Sequence, residues 1–305
     1  MQRYNFVSGI ERITQEELAR LRTSPKGSHI DLILKECLLD AEYDQGKLDL
    51  VLSSQNNLWM INSFPDIHPF FKDSCEGDLL RSEFLFLRYL GDGVFDQSKR
   101  AQYVKYLEEK VLGSLPQKVI FRLCDYNNQD FNFLRSDYSS RGAARLLEQG
   151  ELLETDLEVI KLLQRSGRDV KVLVPYVLFP EEFADVKKRV KESVGNVNVG
   201  TMLEVPANLL EIDKYSEADF YVFGPGDLTK SLYGGIDRNS PNFSLVNNGL
   251  AVPMVKDCLD TLERLGQRKT VYLVKNLIGR DFGEHKNLCL VNMYSPSQLA
   301  AGARK

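Results

Sequence analysis

From about residue 56 to the C-terminus, short apolar runs rich in Val, Ile, Leu and Phe alternate with longer stretches whose apolar positions recur every three or four residues. The runs predict strands buried on both faces, and the longer stretches predict amphipathic helices. Eight runs can be placed: NLWMIN (57–62), DLLRSEFLF (78–86), KVIFRLCD (118–125), VKVLVPYV (170–177), NVGTMLEVP (198–206), ADFYVFGP (218–225), TVYLVKN (270–276) and NLCLVNM (287–293). Helical periodicity runs through 101–115, 143–167, 180–195 and 253–266, with Pro180 as a start signal and Gly167 and Gly266 as stops. SPSQLAAGARK predicts a short closing helix.

Eight parallel strands with helical crossovers is the number that closes a barrel, so residues 56–305 are expected to form a (β/α)8 TIM barrel. Residues 1–55 fall outside the alternation. They contain one helical pattern at TQEELARLR, a second around HIDLILKECLL, and KLDLVLSS as an added strand or hairpin. So short a stretch buries little apolar surface alone, and it is expected to be an appendage packed on the barrel.

Composition narrows the function classes. With 43% hydrophobic and 27% charged residues, the chain has the balance of a globular protein. A net charge of -4 with scattered Lys and Arg argues against nucleic acid as a partner. No continuous apolar stretch reaches the length of a signal peptide or membrane helix. Cys37, Cys75, Cys124, Cys258 and Cys289 are scattered without a CxxC pair, which fits a reduced, cytoplasmic setting.

In a parallel barrel the active site lies at the carboxyl ends of the strands, so charges that interrupt or directly follow apolar runs stand out. Arg81, Arg122, Glu204 and Asp227 do so. Glu204 and Asp227 fall on consecutive strands, about 4.8 Å apart, where their carboxylates can converge on Mg2+, with Mn2+ as an alternative. The guanidinium groups of Arg81 and Arg122 suit a carboxylate or phosphate on a small anionic substrate. The bland alternative for each arginine is a salt bridge within the barrel. Gly226, in the glycine-rich segment VFGPGDLTKSLYGGIDRN, lets backbone amides approach an anion, and Arg238 lies in the same segment.

At these residues the sequence resembles the C-terminal barrel of the phosphoenolpyruvate-utilising enzymes, which include enzyme I of the sugar phosphotransferase system, phosphoenolpyruvate synthase and pyruvate phosphate dikinase. LLRSEFLFL resembles that family's RTEFL motif, FRLCD its RTLD strand, GTMLEVPAN its VEIP or VETP strand, FGPGDLTKSLYGGIDRN its NDLTQ and DR loop, and NMYSPSQL its closing SMSPSAI segment. The resemblance implies that Glu204 and Asp227 bind Mg2+, while Arg81, Arg122 and Arg238 hold phosphoenolpyruvate or pyruvate. It also implies enolate chemistry, a histidine-bearing phosphocarrier as partner, and a homodimer.

Departures from the pattern accompany it. The family's CGE motif falls on Val274, Lys275 and Asn276, which removes the cysteine acid and leaves Lys275 as its replacement. Gly226 stands where an Asn is expected, and the Lys and Asp expected after RTLD fall on Asp130 and Gln129. An arginine of GWRAIR is Gly142, with Arg141 adjacent and Arg145 retained. His29 lies in a faint likeness of the carrier motif, without the residues for a swivelling domain. The expectation is an Mg2+-dependent enzyme acting on phosphoenolpyruvate or a related 2-oxo acid, with divergent phosphotransferase or lyase-like chemistry. The alternative is a catalytically silent metabolite-binding or subunit protein.

Overall fold

The computed structural model describes residues 3–4, 41–42, 57–61, 78–83, 90–115, 117–125, 141–235, 250–267, 269–274 and 288–292. Each of the eight apolar runs holds a strand: β1 (Asn57–Ile61), β2 (Asp78–Arg81), β3 (Lys118–Arg122), β4 (Asp169–Val174), β5 (Asn198–Leu203), β6 (Tyr221–Phe223), β7 (Val271–Val274) and β8 (Leu288–Asn292). All neighbours pair in parallel in chain order. Strand β8 pairs with both β7 and β1, so the sheet curls round to meet itself. Helices follow β2 to β6 among the described residues, giving an α/β fold with a curled parallel sheet.

Strand ends show how the chain enters the sheet. Lys118, Asp169 and Asn198 open β3, β4 and β5 exposed, and nearly every residue after them in those strands is buried. Alternate residues then separate to opposite faces. Leu80, Val119, Phe121, Val172, Val174, Val199, Leu203, Tyr221 and Phe223 pack with the helices in one core. Leu79, Ile120, Leu173, Met202, Phe220, Val222 and Tyr272 form a second cluster on the inner face.

At the amino end of that inner face three described side chains cluster. The rings of Phe220 and Tyr272 meet edge to face at 5.8 Å, and Lys171 Nζ donates to the Tyr272 hydroxyl at 3.1 Å. Gly200 makes room for this arrangement, because a Cβ there would lie 2.6 Å from the Phe220 ring.

The helices follow their sequence signals. Helix α1 (Gln97–Lys110) starts at Asp96, whose Oδ1 accepts from the backbone N–H of Ser98 and Lys99. The periodicity through 143–167 resolves into two helices, α2 (Gly142–Glu148) and α3 (Gly150–Arg165). The break at Gln149, with ψ 77°, falls beside Gly150, where the absence of a side chain makes helical backbone least favoured. Helix α4 (Pro180–Val194) begins on Pro180, and Glu182 Oε2 accepts from the N–H groups of Leu178 and Phe179. It stops at Gly195, with φ 80°. Helices α5 (Pro206–Leu210), α6 (Pro225–Leu232) and α7 (Ala251–Arg264) are the remaining α-helices among the described residues. Helix α7 buries Ala251, Val255, Cys258, Leu259 and Leu262, the stripe expected of a helix lying on a sheet.

Among the described residues no helix is long and apolar enough to cross a membrane. Within 1–55, only an antiparallel pairing of Arg3–Tyr4 with Ala41–Glu42 is described. The helices and hairpin expected there, the closing C-terminal helix, His29, Asp130, Gln129, Arg238 and Lys275 all lie outside the described residues.

Candidate active site

Two of the expected arginines form one rung of the sheet. Arg81 and Arg122 are register partners at the carboxyl ends of β2 and β3, two residues beyond Leu79 and Ile120, and therefore share their inner face. Glu83, two residues beyond the end of β2, reaches both: Arg81 Nε lies 2.7 Å from Glu83 Oε1, and Arg122 Nη2 pairs with the same oxygen. Arg122 Nη1 also points at Met202 Sδ at 3.7 Å. Burial, then the adjacent Arg122 charge, pushes the Arg81 guanidinium down to about 10. Burial opposes the charge of Arg122 as well, but Glu83 and Asp125 outweigh it and raise its pKa.

A third guanidinium, that of Arg141, joins two carboxylates. Arg141 precedes α2 and donates from Nε and Nη2 to the Asp125 oxygens at 2.9 and 2.8 Å. Its Nη1 and Nη2 donate to the Asp227 oxygens at 3.1 and 3.2 Å. The Tyr176 ring lies beneath, with its centroid 4.3 Å from the guanidinium carbon. Burial works against the Arg141 charge, but Asp125 and Asp227 hold its pKa well above the usual arginine range. Burial likewise favours neutral Asp125, but the Arg141 guanidinium prevails and holds that carboxyl below the usual carboxylate range.

The local backbone fits tightly around this pair. Gly142 has φ 58°, and a Cβ there would lie 2.5 Å from the Tyr176 carbonyl oxygen. Tyr176 itself has φ 41°, the left-handed region that side chains other than glycine seldom adopt. This turn presents the Tyr176 N–H to Glu204 Oε1 at 2.8 Å.

Glu204 follows β5 and is 1% exposed. Burial, then the charges of Asp227 and Asp125, raises its carboxyl to about 7. Gly224 leaves it room, because a Cβ there would sit 2.6 Å from Glu204 Oε2. Buried Asn208 ties the neighbouring strand ends together, its Nδ2 donating to the carbonyls of Val177 and Met202.

Asp156, on α3, supports the Asp125 segment from behind by accepting from the Cys124 N–H at 2.6 Å. Burial raises its pKa well above the carboxylate range. The fold therefore binds the Asp156 proton more tightly than the unfolded chain does. That contribution is full at low pH and is lost as pH rises above about 4 towards the raised folded value. Asp156→Asn, with an amide oxygen in the same place, is expected to gain stability over wild type increasingly as pH rises from about 4, as read by urea unfolding. A difference independent of pH would show that Asp156 stays ionised in the fold.

Of the residues singled out from the sequence, Arg81, Arg122, Glu204 and Asp227 fall in one electrostatic neighbourhood, with half-buried Gly226 beside Asp227 in the first turn of α6. Glu83, Asp125, Arg141 and Tyr176 complete it, and the sequence pattern does not mark them as site residues. Glu83 and Asp125 sit inside the very runs that draw attention to Arg81 and Arg122. Arg141 stands out in the sequence only as the neighbour of a missing arginine. Among the described residues no three or more His, Cys, Asp or Glu side chains group as metal ligands.

The family described as PEP-utilising enzyme, PEP-binding domain, matches residues 60–274. A multiphosphoryl transfer protein from Xanthomonas campestris is 27% identical over 222 residues, 67% of this chain and 25% of that protein. A probable phosphoenolpyruvate synthase from Methanocaldococcus jannaschii is 29% identical over 143 residues, 41% of this chain and 12% of that protein. A phosphoenolpyruvate-protein phosphotransferase from Chlamydia trachomatis is 33% identical over 104 residues, 32% of this chain and 18% of that protein. The aligned stretches thus span a quarter or less of these relatives' length. With the match extending from 60 to 274 and covering well over half of its residues, the chain belongs to the family of PEP-binding domains of PEP-utilising enzymes.

Proposed function

We propose that this chain is a (β/α)8 barrel enzyme that binds phosphoenolpyruvate or a related 2-oxo acid together with Mg2+ or Mn2+, and promotes enolate chemistry of the phosphotransferase or lyase kind. The observation that carries this reading is the charge inventory at the carboxyl ends of the strands. Three guanidinium groups, from Arg81, Arg122 and Arg141, already face four carboxyl groups, from Glu83, Asp125, Glu204 and Asp227. The described residues therefore hold no surplus positive charge for an incoming anion, and a divalent cation would supply it.

The residues fit such an ion in donor type and in charge. Glu204 and Asp227 offer the hard carboxylate oxygens that Mg2+ prefers, and burial, then the neighbouring Asp227 and Asp125 charges, raises the Glu204 carboxyl, a cost that a cation beside it would relieve. When bound, the ion would supply electrostatic stabilisation of negative charge on a substrate oxygen. The side chains do the rest. Arg122 and Arg81 offer N–H donors at one rim, where an anionic substrate group can share them with Glu83. Met202 and the inner apolar cluster lie beneath that rim, next to Arg122. Lys275 is proposed as the acid in place of the family cysteine, and Arg238 as a further substrate contact. By analogy with relatives named as phosphotransferases, a separate histidine-bearing phosphocarrier is the proposed partner, and a homodimer the proposed assembly.

The test is calorimetric titration with phosphoenolpyruvate, pyruvate and oxalate, with and without Mg2+. Oxalate binding that requires the metal is expected, and is expected to vanish in Asp227→Asn. Heats that are identical with and without the metal would sink the reading. Solvent deuterium appearing in the methyl group of bound pyruvate then separates an enzyme from a silent binding protein.

A further inference from the structure

We propose that Arg141 and the divalent cation are alternative partners of Asp227, so that the ion binds only as the guanidinium lets go, and Arg141 thereby sets the affinity for metal. The inference rests on the metal reading above and concerns this chain's own arginine.

Both oxygens of Asp227 are engaged by one guanidinium, and both oxygens of Asp125 are engaged by the same group. An ion on Asp227 needs at least one of those oxygens, and a cation next to a fixed guanidinium meets both repulsion and exclusion. The two contacts are unequal. Those to Asp125, at 2.8 and 2.9 Å, are shorter than those to Asp227, at 3.1 and 3.2 Å. Asp227 is thus the partner that yields. The Asp125 pair and the Tyr176 ring hold the guanidinium when it does.

The backbone beneath Arg141 stays put, because Gly142 packs against the carbonyls of Pro175 and Tyr176 and Ala143 N–H donates to Pro175 O at 3.1 Å. Exchange is therefore a side-chain movement. Once off Asp227, the Nη1 and Nη2 donors face the incoming anion. A substrate carboxylate or phosphate recruits them by charge-assisted hydrogen bonds. The same anion that ligates the metal would then also draw away its competitor, coupling the two binding events.

The test measures Mn2+ affinity of the full chain by electron paramagnetic resonance of the free ion, without substrate. Arg141→Gln is expected to bind Mn2+ about tenfold more tightly than wild type, or better, the scale of one close charge pair. Arg141→Lys, which keeps a cation on Asp125 but cannot engage both carboxylates through a planar fork, is expected to fall between them. The gain is expected to disappear when Asp227→Asn is added. Equal or weaker Mn2+ binding by both Arg141 variants would overturn the proposal while leaving the metal reading intact. A gain that survives Asp227→Asn would overturn it too. No Mn2+ binding by any of the proteins would overturn both. Circular dichroism melts of each variant establish that folded protein is being compared.

Discussion

Replacing Glu83 with Gln is expected to destabilise the protein by about 3 kcal/mol or more, the cost of breaking a buried ion pair by removing one partner. Glu83 is 2% exposed and meets Arg81 and Arg122 through a single oxygen. Those arginines face each other across the β2 and β3 rung, so losing the shared carboxylate leaves two like charges in one buried register position. Arg81 already registers that proximity, with its pKa pulled down by burial and by Arg122. Adding Arg81→Met to Glu83→Gln is expected to recover part of the loss, because it removes the repulsion that Glu83 offsets. Urea unfolding of the single and double variants gives the comparison. A single-variant cost below about 1 kcal/mol, the range of an exposed pair, would show that the rung is solvated.

Gly142→Ala is the second large effect expected, about 2–4 kcal/mol. Two penalties combine there. A positive φ of 58° disfavours any side chain, and the new Cβ would lie 2.5 Å from Tyr176 O and 2.7 Å from Pro175 O, both backbone atoms with little freedom to yield. Gly167→Ala separates the two contributions, because Gly167 has φ 84° and a Cβ added there would meet nothing within 4 Å. It is expected to cost only the backbone preference, about 1–2 kcal/mol. The excess at Gly142 measures how firmly the Arg141 turn is packed on the Tyr176 turn. Equal costs at the two glycines would mean that the close approach relaxes freely.

Much of this is legible in the sequence. Apolar runs of strand length between helical stretches predict the eight strands of the curled parallel sheet, because burial on both faces leaves a continuous hydrophobic signature. Arg81, Arg122, Glu204 and Asp227 stand out because a charge beside an apolar run is costly unless it has work to do. The partners are harder to see. Glu83 gains its role from the register that sets Arg81 beside Arg122, and pairing register across strands separated by some forty residues leaves no local trace. Arg141 lies in the connection between β3 and α2, where no periodicity points to a buried charge. Its role depends on Asp125 behind it and Asp227, 86 residues further on. The helix break at Gln149 is hidden because the apolar spacing continues across it on the same side of the sheet.

The cluster of Lys171, Phe220 and Tyr272 bears on the direction of approach. Among the described residues these side chains occupy the amino end of the inner face, which leaves the carboxyl ends of the strands as the side from which Arg81, Arg122 and Glu204 are approached.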